Sequence, residues 1–302
     1  MVGRRGSGTV AIVGAGSVGA TTAFAMAQRG LASEILLVDV DEKRAAGEAM
    51  DVNHGAYFTP PVRVRTGDHE DCHDADVVVL TAGAAQEPGE SRLDLAGRNA
   101  ALFGDLVPRV TAGLSDDAVL LVVTNPVDVL SYVAWTASDL PAERVVGSGT
   151  VLDTSRLRHV LSRRFEVDPG NVHGYVVGEH GDTSVVVWSA ASVSGVPLER
   201  YAASHGGFDA ADRATVEERV RGAAAEIIER KGATYYAIAL ATAEIVEAVL
   251  RDERSVLTVS TLLDGAYGVE DVYASVPCVV GGAGVREVLE FDLADAEREG
   301  LR

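Results

Sequence analysis

Short apolar runs alternate with longer mixed segments through the first half of the chain. The runs cover residues 9–13, 35–38, 62–65, 77–82, 119–123 and a short 145–147. Brief, continuous apolar runs suit strands buried on both faces. The segments between them predict helices over 19–29, 41–54, 99–112 and 127–138. Regular alternation of this kind predicts an α/β fold, a parallel, doubly wound sheet with helices on both faces. Ligands of such sheets sit at the carboxyl ends of the strands, where Thr81-Ala82-Gly83, Val123 and Thr124-Asn125-Pro126 fall.

The second half changes pattern. It predicts a helix over 153–165 and hairpin-like strands over 173–178 and 184–193. A long polar-faced helix follows over 210–236, running on to 250, and then strands over 256–262 and 272–280. The expectation is a Rossmann-type domain, residues 1–148, followed by an α+β domain, residues 149–302. Residues 204–212, with two glycines, are expected to form a mobile surface loop.

The first strand–helix junction carries chemistry. The run Gly14-Ala15-Gly16-Ser17-Val18-Gly19 follows the first strand directly, and the second strand ends at Asp39, twenty residues past Gly19. A lone GxGxxG says little. Between strand and helix, with an acid at this distance, it is a dinucleotide fingerprint. Gly14 suits the tight turn, Gly16 the close approach of a pyrophosphate, and Gly19 close helix–strand packing. The helix N-terminus offers free N–H groups to phosphate. Asp39 can accept from ribose hydroxyls and would repel a 2′-phosphate, which favours NAD over NADP.

A second constellation lies in the segment 149–182. Asp153 and Arg156 are three apart on a predicted helix, and His180 sits in a Gly-Glu-His-Gly turn after an apolar strand. Imidazole exchanges protons near neutral pH, a carboxylate can fix its tautomer, and a guanidinium can grip a carboxylate through two bonds. That equipment suits proton and hydride chemistry on a small carboxylic acid. Taken singly, each residue also has an ordinary structural reading: a helix-surface ion pair for Asp153 and Arg156, a core histidine for His180.

Composition narrows the field. The 302 residues are 47% hydrophobic and carry a formal charge of −19. That charge argues against a nucleic-acid partner and against an anionic membrane surface. Two cysteines, Cys72 and Cys278, form no zinc pattern or CxxC motif and suggest a reducing compartment. No apolar run approaches the length of a membrane span, and the N-terminal MVGRRGSG lacks the apolar core of a signal peptide. The expectation is a cytoplasmic protein with no metal site.

With these residues assembled, the chain resembles the lactate and malate dehydrogenase family, and within it the bacterial L-lactate dehydrogenases. The segments AIVGAGSVGA, TAGAAQEPGESRLDL, VTNPVDVL, GSGTVLDTSRLRH, VHGYVVGEHGDTS and RKGATYYAIA carry the likeness, in family order across nearly the whole chain. The resemblance implies interconversion of pyruvate and lactate with NAD as cofactor. It implies His180 as general acid/base, Asp153 as its partner and Arg156 as the carboxylate clamp. It further implies that Arg92, in the loop 86–93, polarises the ketone oxygen on loop closure. Asn125 would bond the substrate oxygen, Thr234 line the substrate side, and Ile238 pack on the nicotinamide.

Malate enzymes of the family carry arginine where this chain has Gln86. A neutral glutamine leaves a second substrate carboxylate without a partner, which is costly on burial. Gln86 with Thr234 therefore favours pyruvate. Malate dehydrogenase is the alternative within the class, and a non-catalytic NAD-binding sensor the alternative outside it.

Arg158 lies two residues past Arg156, about 200° around a helix. His173 lies seven residues before His180, on the opposite face of an extended strand. Both are placed at a second locus. The resemblance implies fructose 1,6-bisphosphate bound there between subunits of a homo-oligomer, a tetramer. The closing FDLADAEREGLR is expected to form a short last helix.

Overall fold

The computed structural model describes residues 8–84 and 92–301. Six parallel strands form the first part of the sheet: β1 Thr9–Val13, β2 Glu34–Val38, β3 Arg63–Thr66, β4 Val77–Leu80, β5 Val119–Val122 and β6 Val145–Gly147. Their spatial order is β3-β2-β1-β4-β5-β6. That order reverses direction between β1 and β4, creating the crevice where a doubly wound sheet binds ligands. The helices α1 Ser17–Arg29, α2 Glu42–His54, α3 Arg92–Thr111 and α4 Val127–Ala137 connect these strands. The central strands are buried along most of their length, β4 and β5 entirely, which is why they read as unbroken apolar runs.

The helix α5, Val151–Phe165, opens the second half. Leu157, Leu161 and Phe165 recur every four residues and are buried together with Val172, Val176 and Val193 in a separate core. Short strands follow: β7 Val172–His173, β8 Val176–Val177, β9 Val185–Val186, β10 Ser192–Val193 and β11 Val196–Pro197. After α6, Leu198–Ala203, come the long α7, Ala210–Lys231, and α8, Tyr236–Leu250. The last elements are β12 Ser255–Asp264, β13 Glu270–Gly281, β14 Gly284–Val288 and α9 Asp295–Leu301. The three final strands join antiparallel to the edge at β6, extending the sheet to nine strands.

Four expectations need correction. The helix expected over 210–250 is two helices, because Gly232 takes a left-handed φ of 84° and caps α7 through its N–H to the Ile228 carbonyl. Glycine in that conformation is a standard helix stop. α8 then packs on α1 and covers the parallel sheet, so it serves the first half of the fold. The strands expected over 173–178 and 184–193 are interrupted. Val176 N–H bonds the Thr154 hydroxyl at 3.0 Å, and the Thr150 hydroxyl bonds the Val176 carbonyl at 2.5 Å, so side chains of α5 replace a continuous ladder. β7 therefore pairs with β10, while β8 and β9 form their own hairpin. The alternation that set His173 and His180 on opposite faces of one strand does not apply. Finally, α3 begins at Arg92, seven residues before the expected start.

Candidate functional site

The crevice between β1 and β4 is shaped by backbone. Gly14 has φ 107°, and a Cβ there would lie 2.6 Å from the Ala82 nitrogen. A Cβ on Gly19 would overlap the Gly14 carbonyl oxygen. A Cβ on Gly16 would meet nothing within 4 Å, so that position faces open space. The Thr81 hydroxyl bonds the Gly14 carbonyl at 2.8 Å and ties the two strand ends together. Asp39 accepts from Ala15 N–H at 2.6 Å and from Asp41 N–H at 2.9 Å, so it braces the glycine turn from the end of β2. Ser17, Val18 and Gly19 form the first turn of α1, which has no side-chain cap. Its free N–H groups and the open face at Gly16 fit a dinucleotide pyrophosphate.

Beyond β4, Gly83 stands against Thr124, whose hydroxyl bonds the Ala82 carbonyl at 2.7 Å. Val123 is buried at the end of β5. Asn125 is exposed at the head of α4, with its carbonyl held by the Asn99 amide at 3.1 Å. The other end of that amide accepts Ala84 N–H at 2.8 Å. Asn99 thus pins two strand-end loops to α3. It shares an apolar stripe with Phe103, Val107 and Val110, and a buried asparagine in such a stripe was a signal available in the sequence.

The second centre lies on α5 and the β8–β9 hairpin. Asp153 occupies the first turn of α5 and is buried. One of its oxygens accepts His180 Nδ1 at 2.6 Å, and the other accepts an Arg156 guanidinium N–H at 2.8 Å. His180 sits in the hairpin turn, and its root is held from three sides. Gly178 exchanges backbone bonds with Ser275 at 2.8 and 2.9 Å. His180 N–H donates to Asp128 Oδ2 at 2.8 Å. The short helix α9 packs against β9, and its Glu297 accepts Ser189 N–H at 2.9 Å.

Burial opposes charge on both members of the pair, but their contact outweighs it. The Asp153 bond, together with the charges of Asp153 and Asp128, raises His180 above its ordinary value of 6.5. His180 and Arg156 hold Asp153 below its ordinary 3.8. Nδ1 donates to the ionised Asp153, so Nε2 is the nitrogen left to exchange a proton. Arg156 spends one donor on Asp153 and keeps others of its guanidinium for a ligand carboxylate. Cys72 and Cys278 are buried, and burial pushes both thiols up to about 12, so neither is a nucleophile at neutral pH.

The other expected residues fall as follows. Gln86 and the side chain of Arg92 lie outside the described residues. Thr234 lies in the connector between α7 and α8, and Ile238 in the first turn of α8, packed against the sheet's core. Arg158 leaves the Asp153 centre and stacks over the Tyr175 ring at 6.0 Å. His173 is exposed, two residues before Tyr175. Asp128 was not anticipated: an acid in the first turn of a helix reads as a favourable dipole partner, and no local pattern ties it to a histidine fifty-two residues away.

The family model for the lactate/malate dehydrogenase NAD-binding domain matches residues 9–147, and that for the alpha/beta C-terminal domain matches 150–302. An L-lactate dehydrogenase of Clostridium botulinum is 48% identical over 302 residues, all of this chain and 95% of the relative. L-lactate dehydrogenase 1 of Clostridium acetobutylicum is 50% identical over 293 residues, 97% of this chain and 93% of the relative. Among solved structures, the ligand-bound minor L-lactate dehydrogenase of Enterococcus mundtii superposes with a TM-score of 0.94 at 43% identity, covering 98% of this chain and 94% of that one. A lactate dehydrogenase from a Medee basin deep-sea metagenome library gives 0.95 at 42% identity, covering 99% and 95%.

Proposed function

The chain belongs to the lactate/malate dehydrogenase family, and on that premise we propose that it is an NAD-dependent L-lactate dehydrogenase interconverting pyruvate and L-lactate. The observation that carries the reading is the bonded series Arg156–Asp153–His180, with distances of 2.8 and 2.6 Å. It joins a carboxylate clamp to a proton donor through one buried acid.

In this reading Gly14, Gly16, Ser17, Val18, Gly19 and Asp39 hold the adenosine and pyrophosphate portions of NAD. Thr81, Ala82, Gly83, Val123, Asn125 and Ile238 border its nicotinamide end. The bound cofactor supplies or accepts the hydride. Arg156 orients the substrate by its carboxylate, which sets the second carbon and its oxygen against the reacting groups. His180 Nε2 gives its proton to the ketone oxygen in reduction and takes it back in oxidation. Asp153 stabilises the imidazolium in the one direction and fixes the tautomer in the other. Asn125 and Arg92 donate to the oxygen as negative charge grows on it. Gln86, a neutral residue where malate enzymes carry arginine, and Thr234 favour a methyl group over a carboxylate at the substrate's third carbon.

The test is steady-state oxidation of NADH with pyruvate and with oxaloacetate, alongside His180→Asn. Preference for pyruvate, lost in the variant, is the expected result. Preference for oxaloacetate would make the protein a malate dehydrogenase. NADH binding with no turnover on either acid would leave a sensor.

Two further features belong to the proposal. Phe24, Met50, Phe58, Tyr236 and Leu240 are each more than half exposed. Phe24, Phe58 and Tyr236 line one cavity of about 400 Å3 between α1, α2 and α8. An apolar face of that kind supports a homo-oligomer built through these helices, and size-exclusion chromatography with light scattering tests it. Arg158, stacked over the Tyr175 ring, and His173, two residues before that tyrosine, supply the basic groups for fructose 1,6-bisphosphate as an activator. A cytoplasmic location is proposed with them; no helix among the described residues is long and apolar enough to cross a membrane.

A further inference from the structure

His180 is bonded twice, through Nδ1 to Asp153 and through its backbone N–H to Asp128. Asp128, in the first turn of α4, accepts the His180 backbone N–H at 2.8 Å through Oδ2. Its other oxygen, Oδ1, is buried and has no hydrogen-bond partner among the described residues. Burial raises the Asp128 carboxyl above its ordinary 3.8, with Glu179 adding to the rise, while the nearby Ser260 hydroxyl, the His180 N–H and the imidazole charge oppose it; the buried Ser260 hydroxyl itself has no partner at hydrogen-bond geometry. Asp128 follows Asn125 by three residues, on the element that closes the carboxyl end of β5. His180 belongs to the β8–β9 hairpin. This bond therefore crosses from the parallel sheet's helix layer to the hairpin.

We propose that Asp128 is a positioning residue for His180: it anchors the main chain at the root of the imidazole and places a second negative charge against the protonated ring. The proposal rests on the dehydrogenase reading above. Its physical basis is that a carboxylate bonded to the His180 main chain at 2.8 Å is held beside the residue whose ring its charge acts on. Opposite charge at that range favours the cation.

Among the described residues, the charged groups that act on this centre come from α5, α4 and the turn itself. Asp153 and Arg156 come from α5, Asp128 from α4, and Glu179 from the turn itself. Asp153 and Asp128 favour the imidazolium and Arg156 opposes it. The Glu179 carboxylate is engaged by the Thr183 hydroxyl. Asp128 alone contributes both an anchor to the backbone and a charge to the ring. No proton transfer to Asp128 is required, and the balance of the reaction is unchanged: Nε2 still carries the exchanged proton.

The experiment is a pH profile of kcat/KM for pyruvate in wild type, Asp128→Asn, Asp128→Glu and Asp128→Ala, with NADH binding measured by fluorescence for each. Asn keeps an acceptor for the His180 N–H and removes the charge. Its alkaline limb should fall by about one pH unit. Glu keeps the charge and should stay near the wild-type limb. Ala should show the Asn shift and a lower kcat as well, since the N–H loses its acceptor. If Asn does not give a protein that binds NADH, Asp128→Ser, which also offers an acceptor without charge, carries the same comparison. An Asn or Ser profile superimposable on wild type would overturn the proposal. So would a uniform loss of kcat at every pH with the limb unmoved, which is what a merely structural acid produces. Failure of the wild type to oxidise NADH with pyruvate would instead bring down the dehydrogenase reading itself.

Discussion

Asp153 and His180 shift each other's proton affinity in opposite directions across a 2.6 Å bond. The carboxyl is held below 3.8 and the imidazole above 6.5, although burial pushes each the other way. Both shifts favour the carboxylate–imidazolium form of the pair, the state that donates a proton.

That state sets the first prediction. In the proposed mechanism pyruvate reduction requires protonated His180, so its kcat/KM should fall on the alkaline side, with a midpoint above the ordinary histidine value of 6.5. Lactate oxidation requires the neutral ring and should fall on the acid side of the same midpoint. His180→Asn should lower turnover by about 10²–10⁴-fold while NADH binding persists. Near-normal turnover in the variant would remove His180 from the mechanism.

The same pair makes a stability prediction. His180 is raised, so its contribution is complete below 6.5 and is lost as pH climbs through the folded value. Asp153 is lowered, so its contribution is complete above 3.8 and is lost as pH drops through its folded value. The pair stabilises most between those two values. Calorimetry of Asp153→Asn against wild type should show the largest Tm deficit near pH 5 and a smaller one near pH 9. A deficit that grows with pH would contradict the pairing.

Two glycines separate a cofactor role from a folding role. Gly16→Ala adds a methyl group into open space, so stability should change by less than about 1 kcal/mol. The Kd for NADH should rise at least about tenfold, because the proposed pyrophosphate site is that space. Gly19→Ala presses on the Gly14 carbonyl and should cost about 1–3 kcal/mol. Isothermal titration and thermal melts check both. Unchanged NADH affinity in Gly16→Ala would displace the cofactor from this turn.

Substrate choice is tested at Gln86. Gln86→Arg supplies a partner for a second carboxylate and should shift preference toward oxaloacetate at least about tenfold. Ratios of kcat/KM for the two acids are the measurement, and an unchanged ratio would place the discriminator elsewhere.

The effector proposal is tested by pyruvate saturation with and without fructose 1,6-bisphosphate at pH 6 and pH 8. Coupling of about 1–3 kcal/mol lowers KM several-fold to a hundredfold. The effect should be absent in Arg158→Ala and His173→Ala. Coincident curves at both pH values would leave these residues as polar surface.

Much of this protein was legible in the chain because the relevant patterns are local. The glycine turn, Asp39 and the apolar strands of the parallel sheet each announce themselves within a few residues, since backbone conformation and burial on both faces act at that range. The triplet Asp153, Arg156 and His180 was legible as a chemical set, the structure bonds the three together, and the roles proposed for them come from the family likeness. What tertiary structure decided is how those pieces meet. Local pattern predicted one helix over 210–250; Gly232 breaks it, and α8 crosses back to cover α1 and the parallel sheet. The strands expected over 173–178 and 184–193 are interrupted, the first because Thr150 and Thr154 take the backbone bonds of Val176. Asp128 and Asn99 carry no local mark of what they touch. Their partners, His180 and the Ala84 and Asn125 backbone, lie in other elements, and only packing brings a buried polar group to the one neighbour that satisfies it.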